Sequence, residues 1–202
     1  MFDAALRPLI DPPLARLAGR FIAAGISANA VTLSGFAVGL LAIPALAAEW
    51  YWLALLLILL NRLADGIDGA IARRLGATDL GGYLDILCDF IFYAAVPLGF
   101  ALARPENGAA AAFLIFSFVG TGSSFLAYAA IAAKRGLESP RHGQKTIYYL
   151  GGLTEGAETI VAFVLFCLMP GSFAAIAVLF GALCWITTLF RAASAWRLLT
   201  RG

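Results

Sequence analysis

The chain has 202 residues, of which 62% are hydrophobic and 13% are charged, and its formal net charge is +2 at pH 7. This composition excludes an ordinary soluble domain and is typical of an integral membrane protein. Because a membrane-spanning helix needs about 20 apolar residues, the chain has room for about six spans and no large soluble domain. We expect membrane lipids around it and no nucleic-acid partner.

The first 27 residues have the pattern of an amphipathic helix that lies on the membrane surface. Apolar residues recur there at three-, four- and seven-residue spacings: Leu6, Leu9, Ile10, Leu14, Leu17 and Phe21. Arginines lie among them, at Arg7, Arg16 and Arg20. These charges interrupt any signal-peptide core, so we expect the segment to be retained. Residues 1–27 are therefore predicted as an interfacial segment.

Residues 28–202 are predicted to form one all-α membrane domain with six transmembrane helices. The apolar runs lie near residues 30–48, 51–73, 82–103, 109–134, 147–169 and 172–198. Turn signals such as "LGATDLGG", "RPENG" and "PGS" separate them. The sequence contains no inverted repeat with paired, broken helices, which argues against a secondary transporter.

Basic residues are concentrated on one side of the predicted spans. If the N-terminus is cytoplasmic, that side carries Arg7, Arg16, Arg20, Arg73, Arg74, Lys134, Arg135, Arg141, Lys145, Arg197 and Arg201. Only Arg104 then faces outward. This bias predicts a multi-pass protein of a bacterial-type inner (plasma) membrane, with both termini cytoplasmic and the active site facing the cytoplasm.

Five aspartates lie in the stretch "DGIDGAIARRLGATDLGGYLDILCD" at residues 65–89. Asp65 and Asp68 are three residues apart on the second predicted span, and Asp85 and Asp89 are four apart on the third, so each pair shares a helix face. Four facing carboxylates at membrane depth repel one another unless a cation lies between them. Hard oxygen ligands favour Mg²⁺, Mn²⁺ or Ca²⁺, and one or two ions would fit.

The residues between these aspartates suit a phosphate-bearing ligand. Gly66, Gly69 and Gly81 have no side chains, so phosphates can approach the backbone closely. Arg73 lies two helical turns from Asp65 and can bind a diphosphate through two parallel hydrogen bonds.

Two other interpretations of the charged stretch compete with a metal site. The aspartates can simply pair with Arg62, Arg73 and Arg74, although this explains neither the spacing nor the glycines. Alternatively, they belong to a cation or metabolite transporter, which predicts acidic residues through the whole membrane. All four carboxylates lie near one membrane surface instead.

The charged stretch reads DxxDGxxAR, a seven-residue spacer and GxxxDxxxD, with fixed positions Asp65, Asp68, Gly69, Ala72, Arg73, Gly81, Asp85 and Asp89. This pattern resembles the signature of the CDP-alcohol phosphatidyltransferases, and within that family the chain resembles a bacterial inner-membrane subgroup. The resemblance covers the whole chain. The segment "SANAVT" corresponds to a Pro-Asn-x-x-Thr pattern of the family, with Ala28 in place of the proline.

The resemblance implies that an alcohol hydroxyl attacks the β-phosphorus of a CDP-linked donor and that CMP leaves. We predict CDP-diacylglycerol as this donor. It implies that Asp65, Asp68, Asp85 and Asp89 bind Mg²⁺ or Mn²⁺, with two ions expected, and that Asp89 is also the general base. The residues implied in binding the CDP donor are Gly69, Arg73, Thr78, Gly81, Ser27 and Asn29. A homodimer is implied as well. The same signature also fits the reverse pairing, in which a soluble CDP-alcohol donates to diacylglycerol.

Polar residues outside the motif are candidates for binding the acceptor. Glu155 and Glu158 share a face of the fifth predicted span and suit an amine-bearing alcohol. Lys145, in the basic loop before that span, and Arg191, in the sixth span, suit a phosphorylated acceptor. Both sets also have structural interpretations, because buried charges normally have partners and basic loops follow the positive-inside bias. The acceptor is therefore left open between glycerol 3-phosphate, inositol phosphate, serine, choline and ethanolamine.

Overall fold

A computed structural model describes residues 2–136, 154 and 156–200. The described residues form eight α-helices and contain no strand, which confirms the predicted all-α fold. The helices are α1 (Phe2–Ala23), α2 (Ala28–Leu40), α3 (Ala42–Ala47), α4 (Tyr51–Leu75), α5 (Asp79–Ala103), α6 (Gly108–Lys134), α7 (Gly156–Leu168) and α8 (Phe173–Leu199). Short 3₁₀ turns at Pro105–Asn107 and Pro170–Ser172 precede α6 and α8.

Four helical segments among the described residues are long and apolar enough to cross a membrane. They are Ala28–Ala47, Asp79–Ala103, Pro105–Lys134 and Pro170–Leu199. Helix α4 has 25 residues but carries Arg62, Asp65 and Asp68 within its first 18, so its composition is less apolar. Helix α7 has only 13 described residues, and most of the chain just before it lies outside the described part. Six crossings therefore stay a prediction.

The first span is divided into two helices. Helix α2 ends at Leu40 and α3 begins at Ala42, with Pro44 inside α3. Proline has no N–H to donate to the carbonyl four residues earlier, and its ring crowds that carbonyl. The break therefore lies where Pro44 would interrupt a continuous helix.

Helix α1 packs against α4, and its interfacial position stays a prediction. Leu14 and Ala18 are buried, whereas Arg16 and Arg20 are exposed. A Cβ added to Gly66 of α4 would lie 2.8 Å from Leu14 Cδ1, so this glycine lets the two helices approach closely. The described part of α1 thus has a packed face and a basic, exposed face.

Glycines also bring α2 close to α4. A Cβ added to Gly35 would collide with the Cβ of Ala64, and one added to Gly39 would lie 2.8 Å from Asn61 Nδ2. Small residues at helix contacts are the usual means of close packing in membranes. The core beside this contact is aromatic: Phe92, Phe100, Phe163, Phe166 and Phe173 are completely buried.

An ion pair lies at the end of the helix bundle that is away from the aspartates. Arg104, which follows α5, donates to the two carboxylate oxygens of Glu49 at 3.1 and 2.6 Å. The hydrogen bonds from Arg104 lower the pKa of Glu49. Because Glu49 precedes α4, the pair connects the start of α4 to the end of α5, at the end of these helices away from the aspartates.

The contact between α2 and α4 predicts a specific cost of adding one methyl group. We expect Gly35→Ala to lower the free energy of unfolding by about 1–3 kcal/mol, because Ala64 leaves no space for a Cβ. The midpoint of thermal unfolding in detergent measures this. Gly108→Ala is the control, since nothing lies within 4 Å of a Cβ there. Equal midpoints for the two variants would contradict the packing described.

Candidate active site

The four motif aspartates lie on α4 and α5, close to the turn that joins these helices. Helix α4 ends at Leu75, and Gly76, which follows it, has a positive φ of 100°. Thr78 then caps α5 by accepting a hydrogen bond from Gly81 N at 3.0 Å. Both helices pack against α2. Side chains of α4 and α5 meet directly beside α2, as the contact between Arg62 of α4 and Asp89 of α5 shows.

Three of the aspartates converge as predicted. Asp65, Asp68 and Asp85 each offer a carboxylate oxygen, and these oxygens lie within 4.8 Å of one another. Asp68 is 5% exposed and accepts a hydrogen bond from Thr32 Oγ1 on α2 at 2.5 Å. Three hard oxygens brought together at a partly buried position are a donor set that suits Mg²⁺ or Mn²⁺. The residues present therefore fit the divalent ion that the sequence predicts.

The fourth aspartate, Asp89, is held by an arginine. Arg62 Nη2 donates to Asp89 Oδ1 at 2.8 Å, and Arg62 Nη1 lies 3.8 Å from Asp65 Oδ2. This is part of the pairing that the purely structural interpretation predicts. In the described part of the chain, however, arginines form ion pairs with Asp65 and Asp89 but not with Asp68 or Asp85. Pairing alone therefore leaves half of the cluster unexplained.

The cluster opens into a large cavity of about 1410 Å³. Every residue predicted to bind the CDP donor lines this cavity: Ser27, Asn29, Gly69, Arg73, Thr78 and Gly81. All four motif aspartates line it too. Another part of its wall is apolar and comes from α7 and α8, with Val161, Leu165, Leu179 and Leu183. The cavity thus offers both a charged and an apolar surface to one ligand.

The N-termini of α2 and α5 meet at the polar part of the cavity. Ser27 caps α2 by accepting from Ala30 N at 3.3 Å. A Cβ added to Gly81 of α5 would lie 3.0 Å from Thr78 Oγ1 and 3.2 Å from Asn29 Oδ1. Unsatisfied N–H groups and the helix dipole favour an anion at such positions.

Arg73 extends from α4 over the cavity. Its side chain is 58% exposed, and Nη2 lies 3.9 Å from Asp11 Oδ1 of α1. A Cβ added to Gly69 would lie 3.3 Å from Arg73 Nη1, so the glycine leaves room for the guanidinium. Because the ion pair with Asp11 is exposed, it contributes little stability and leaves Arg73 available to an anionic ligand.

The two candidate acceptor residues in the described part of the chain differ in whether they line the cavity. Glu158 of α7 lines the cavity. Arg191 of α8 is absent from the lining, is 8% exposed, and donates to Thr121 O at 3.3 Å. Lys145 and Glu155 lie outside the described residues. Of the two described candidates, only Glu158 is therefore in position to reach a ligand in the cavity.

Three residues near the aspartates were not predicted as site residues. Thr32 lies in "SANAVT", but nothing in its spacing indicates that it reaches Asp68, 36 residues away. Asn61 and Arg62 interrupt an apolar run inside a predicted span. Polar residues at membrane depth are generally functional or paired. Their position inside an apolar run is therefore the sequence signal that indicates Asn61 and Arg62 as site residues.

The fold and the carboxylate cluster define a membrane protein with a divalent-metal type of site beside a large cavity. The chain belongs to the CDP-alcohol phosphatidyltransferase family, whose model matches residues 25–193. It is thus an enzyme of this class, which confirms the family resemblance that the motif indicates.

Two relatives are similar to most of this chain. The chain is 56% identical over 192 residues to the inner membrane protein YnjF of Escherichia coli K12. The aligned residues are 95% of this chain and 93% of YnjF. It is 30% identical over 166 residues to a phosphatidylcholine synthase of Mesorhizobium japonicum. That alignment covers 77% of this chain and 56% of the synthase. The apolar helices and the first of these relatives support a location in a bacterial inner membrane.

The fold is also similar to that of the phosphatidylinositol phosphate synthase PgsA1 of Mycobacterium tuberculosis. The TM-score is 0.68 with 20% identity for the crystal structure in complex with manganese and citrate, covering 91% of this chain and 88% of that one. For the crystal structure with CDP-DAG bound, the TM-score is 0.65 with 20% identity, and the alignment covers 91% of this chain and 93% of that one. At this identity the similarity concerns the fold.

The convergence of Asp65, Asp68 and Asp85 predicts a measurable metal affinity. We expect Asp68→Asn to weaken Mn²⁺ binding by about 10-fold or more, because loss of a direct ligand should cost at least as much as loss of a supporting residue. Titration of the purified protein followed by Mn²⁺ electron paramagnetic resonance measures it. Asp79→Asn is the matched control, since Asp79 is exposed and outside the cluster. Equal affinity in both variants would argue against the site.

Proposed function

We propose that this protein transfers a phosphatidyl group from CDP-diacylglycerol to the hydroxyl of a small polar alcohol and releases CMP. The observation that carries this proposal is the shared cavity: three converging carboxylates, all predicted donor-binding residues and an apolar wall line one space. The product is a phospholipid, so the enzyme acts in phospholipid synthesis.

The cavity suits a donor with a nucleotide diphosphate at one end and acyl chains at the other. The N-termini of α2 and α5, together with Arg73, bind the diphosphate, and Gly69 and Gly81 let it approach the backbone. Val161, Leu165, Leu179 and Leu183 contact the acyl chains. PgsA1, which has this fold, is known with CDP-DAG bound, and this supports the same donor here.

Asp65, Asp68 and Asp85 hold a divalent ion, Mg²⁺ or Mn²⁺, and Asp89 adjoins them. When bound, the ion neutralises phosphate charge during the displacement. Manganese in the PgsA1 crystal structure supports this assignment.

The reaction is a single displacement. Asp89 accepts the proton of the acceptor hydroxyl, whose oxygen attacks the β-phosphorus of the donor. The bond between this phosphorus and the bridging diphosphate oxygen breaks, and the electron pair leaves with CMP. Arg73 and the N–H groups at the start of α5 stabilise the charge on the diphosphate.

The two alternatives differ in what they predict for the reactants. In the reverse pairing, a soluble CDP-alcohol is the donor and diacylglycerol the acceptor, and the cavity has surfaces for both. A transporter needs polar groups along the whole membrane depth, whereas the described aspartates are grouped near one end of α4 and α5. The family assignment favours transfer over transport.

The arrangement in the membrane follows from the basic residues. We place both termini and the opening of the cavity on the cytoplasmic side, residues 1–27 on the membrane surface and residues 28–202 in six crossings. A polar acceptor then arrives from the cytoplasm while the lipid donor enters from the bilayer. Homodimerisation stays a prediction, which cross-linking in native membranes tests.

The first test is transfer itself. We expect inside-out membrane vesicles to release CMP from CDP-diacylglycerol when Mg²⁺ or Mn²⁺ and one alcohol of a panel are added outside. The panel contains glycerol 3-phosphate, inositol phosphate, serine, choline and ethanolamine, and mass spectrometry of the product lipid identifies the acceptor. Asp89→Asn should lower the rate by about 100-fold or more, because it removes the general base.

The controls separate the alternatives. Asp79→Asn leaves the rate unchanged, because this exposed aspartate lies outside the motif. Release of CMP only from soluble CDP-alcohols would establish the reverse pairing. An ion flux with no nucleotide turnover would support the transporter instead. Activity only in right-side-out vesicles would contradict the proposed orientation.

A second test concerns the acceptor. Because Glu158 lines the cavity, we expect Glu158→Gln to raise the KM for an amine-bearing acceptor by about 5-fold or more and to leave the KM for CDP-diacylglycerol unchanged. Glu106→Gln is the control, since Glu106 lies in the turn before α6, away from the cavity. An unchanged acceptor KM with a lower unfolding midpoint would assign Glu158 a structural role.

A further inference from the structure

Arg62 lies beside the catalytic aspartates but is not one of the eight motif positions. Its side chain is only 8% exposed, although it carries a permanent charge inside an apolar bundle. It donates to Asp89 Oδ1 at 2.8 Å and lies 3.8 Å from Asp65 Oδ2. The guanidinium is therefore positioned between two of the four motif carboxylates.

The guanidinium is held from behind by Asn61. The amide oxygen of Asn61 accepts from Arg62 Nε at 2.8 Å and from Nη2 at 2.5 Å. The amide nitrogen of Asn61 donates to Gly35 O on α2 at 3.0 Å, and Asn61 is 4% exposed. Asn61 is thus fixed by α2, and it orients the arginine.

Aromatic rings restrict the guanidinium further. It lies 4.8 Å from the ring centre of Phe92 and 5.3 Å from that of Tyr93, within the range of cation–π attraction. Nη1 also lies 3.4 Å from the Tyr93 hydroxyl, to which it donates. Rotation of the guanidinium would break these contacts together.

These contacts leave Arg62 one orientation toward Asp89. An arginine has five N–H donors in a rigid plane. Nε and one N–H of Nη2 are directed to Asn61, and the other N–H of Nη2 is directed to Asp89. A carboxylate has two oxygens, so the hydrogen bond from Arg62 to Oδ1 restricts the carboxylate and leaves Oδ2 for another partner.

We propose that Arg62 is a positioning residue, which holds Oδ1 of Asp89 so that Oδ2 receives the proton of the acceptor hydroxyl. This inference rests on the proposed function, in which Asp89 is the general base. Catalytic geometry is sensitive to displacements of about 1 Å, which can cost about 100-fold in rate. Arg62, itself held in place, limits such displacements of the Asp89 carboxylate through its hydrogen bond to Oδ1.

The competing explanation is that Arg62 only neutralises buried carboxylates. Lysine distinguishes the two, because it keeps the charge but has a compact ammonium group without the planar fork. If charge alone matters, Arg62→Lys retains activity. If orientation matters, the ammonium cannot bond Asn61 and Asp89 in the same plane, and turnover falls.

The experiment compares wild-type and Arg62→Lys protein, purified at full length. The assay is CMP release from CDP-diacylglycerol with the panel alcohol that the wild type uses best. We expect kcat to fall about 10- to 100-fold, while the KM for CDP-diacylglycerol and the affinity for Mn²⁺ stay unchanged. Arg104→Lys makes the same chemical change at the far end of the bundle and leaves kcat unchanged.

A second variant covers the case in which Arg62→Lys does not fold. Asn61→Ala removes the acceptor behind the guanidinium and keeps Arg62, so it should lower kcat with an unchanged KM for the donor. Full kcat in Arg62→Lys, or a loss of kcat matched by an equal loss of Mn²⁺ affinity, would overturn the positioning role. A wild-type protein that transfers nothing refutes the proposed function and this role together, whereas an active wild type with equally active variants refutes this role alone.

Discussion

The repulsion between four carboxylates in an apolar bundle is the constraint on which the rest of this structure depends. Charged groups of like sign cannot share a low-dielectric site without compensation. Here Asp89 and Asp65 face the buried Arg62, and Asp68 accepts a hydrogen bond from Thr32. What remains is a group of three hard oxygens that a divalent ion can balance. The charge that would destabilise the fold is therefore also what gives the protein its proposed chemistry.

Helix α2 makes this compensation possible. Gly35 and Gly39 let its backbone lie against α4, which brings Thr32 to Asp68 and lets Asn61 donate to Gly35 O. Because α2 also packs against α5, it supports both pairs of aspartates. Close packing through glycine, which in a membrane replaces the hydrophobic driving force between helices, thus sets the geometry of the site.

The cavity joins two environments that the proposed reaction needs. Its polar part is formed by the ends of helices, where N–H groups and charged side chains are available to phosphate, and its apolar part is formed by the sides of α7 and α8. A lipid donor can keep its chains against apolar residues while its diphosphate lies beside the carboxylates. The exposed apolar side chains outside the cavity, such as Trp52 and Leu56, are those of a protein surrounded by lipid.

The sequence by itself determined the all-α membrane class, the positions of most helices and the identity of the four aspartates, because hydropathy and spacing along a single helix carry this information. The resemblance of the motif to the family placed Ser27, Asn29, Gly69, Arg73, Thr78 and Gly81 in one group, and all of them line the cavity. Only the tertiary structure decided that α2 lies beside both α4 and α5, that Arg62 rather than Arg73 or Arg74 faces Asp89, and that Glu158 but not Arg191 lines the cavity. These contacts join residues far apart in the chain, such as Thr32 and Asp68, and depend on how helices pack. Periodicity along one helix specifies its faces but not which neighbour each face will meet.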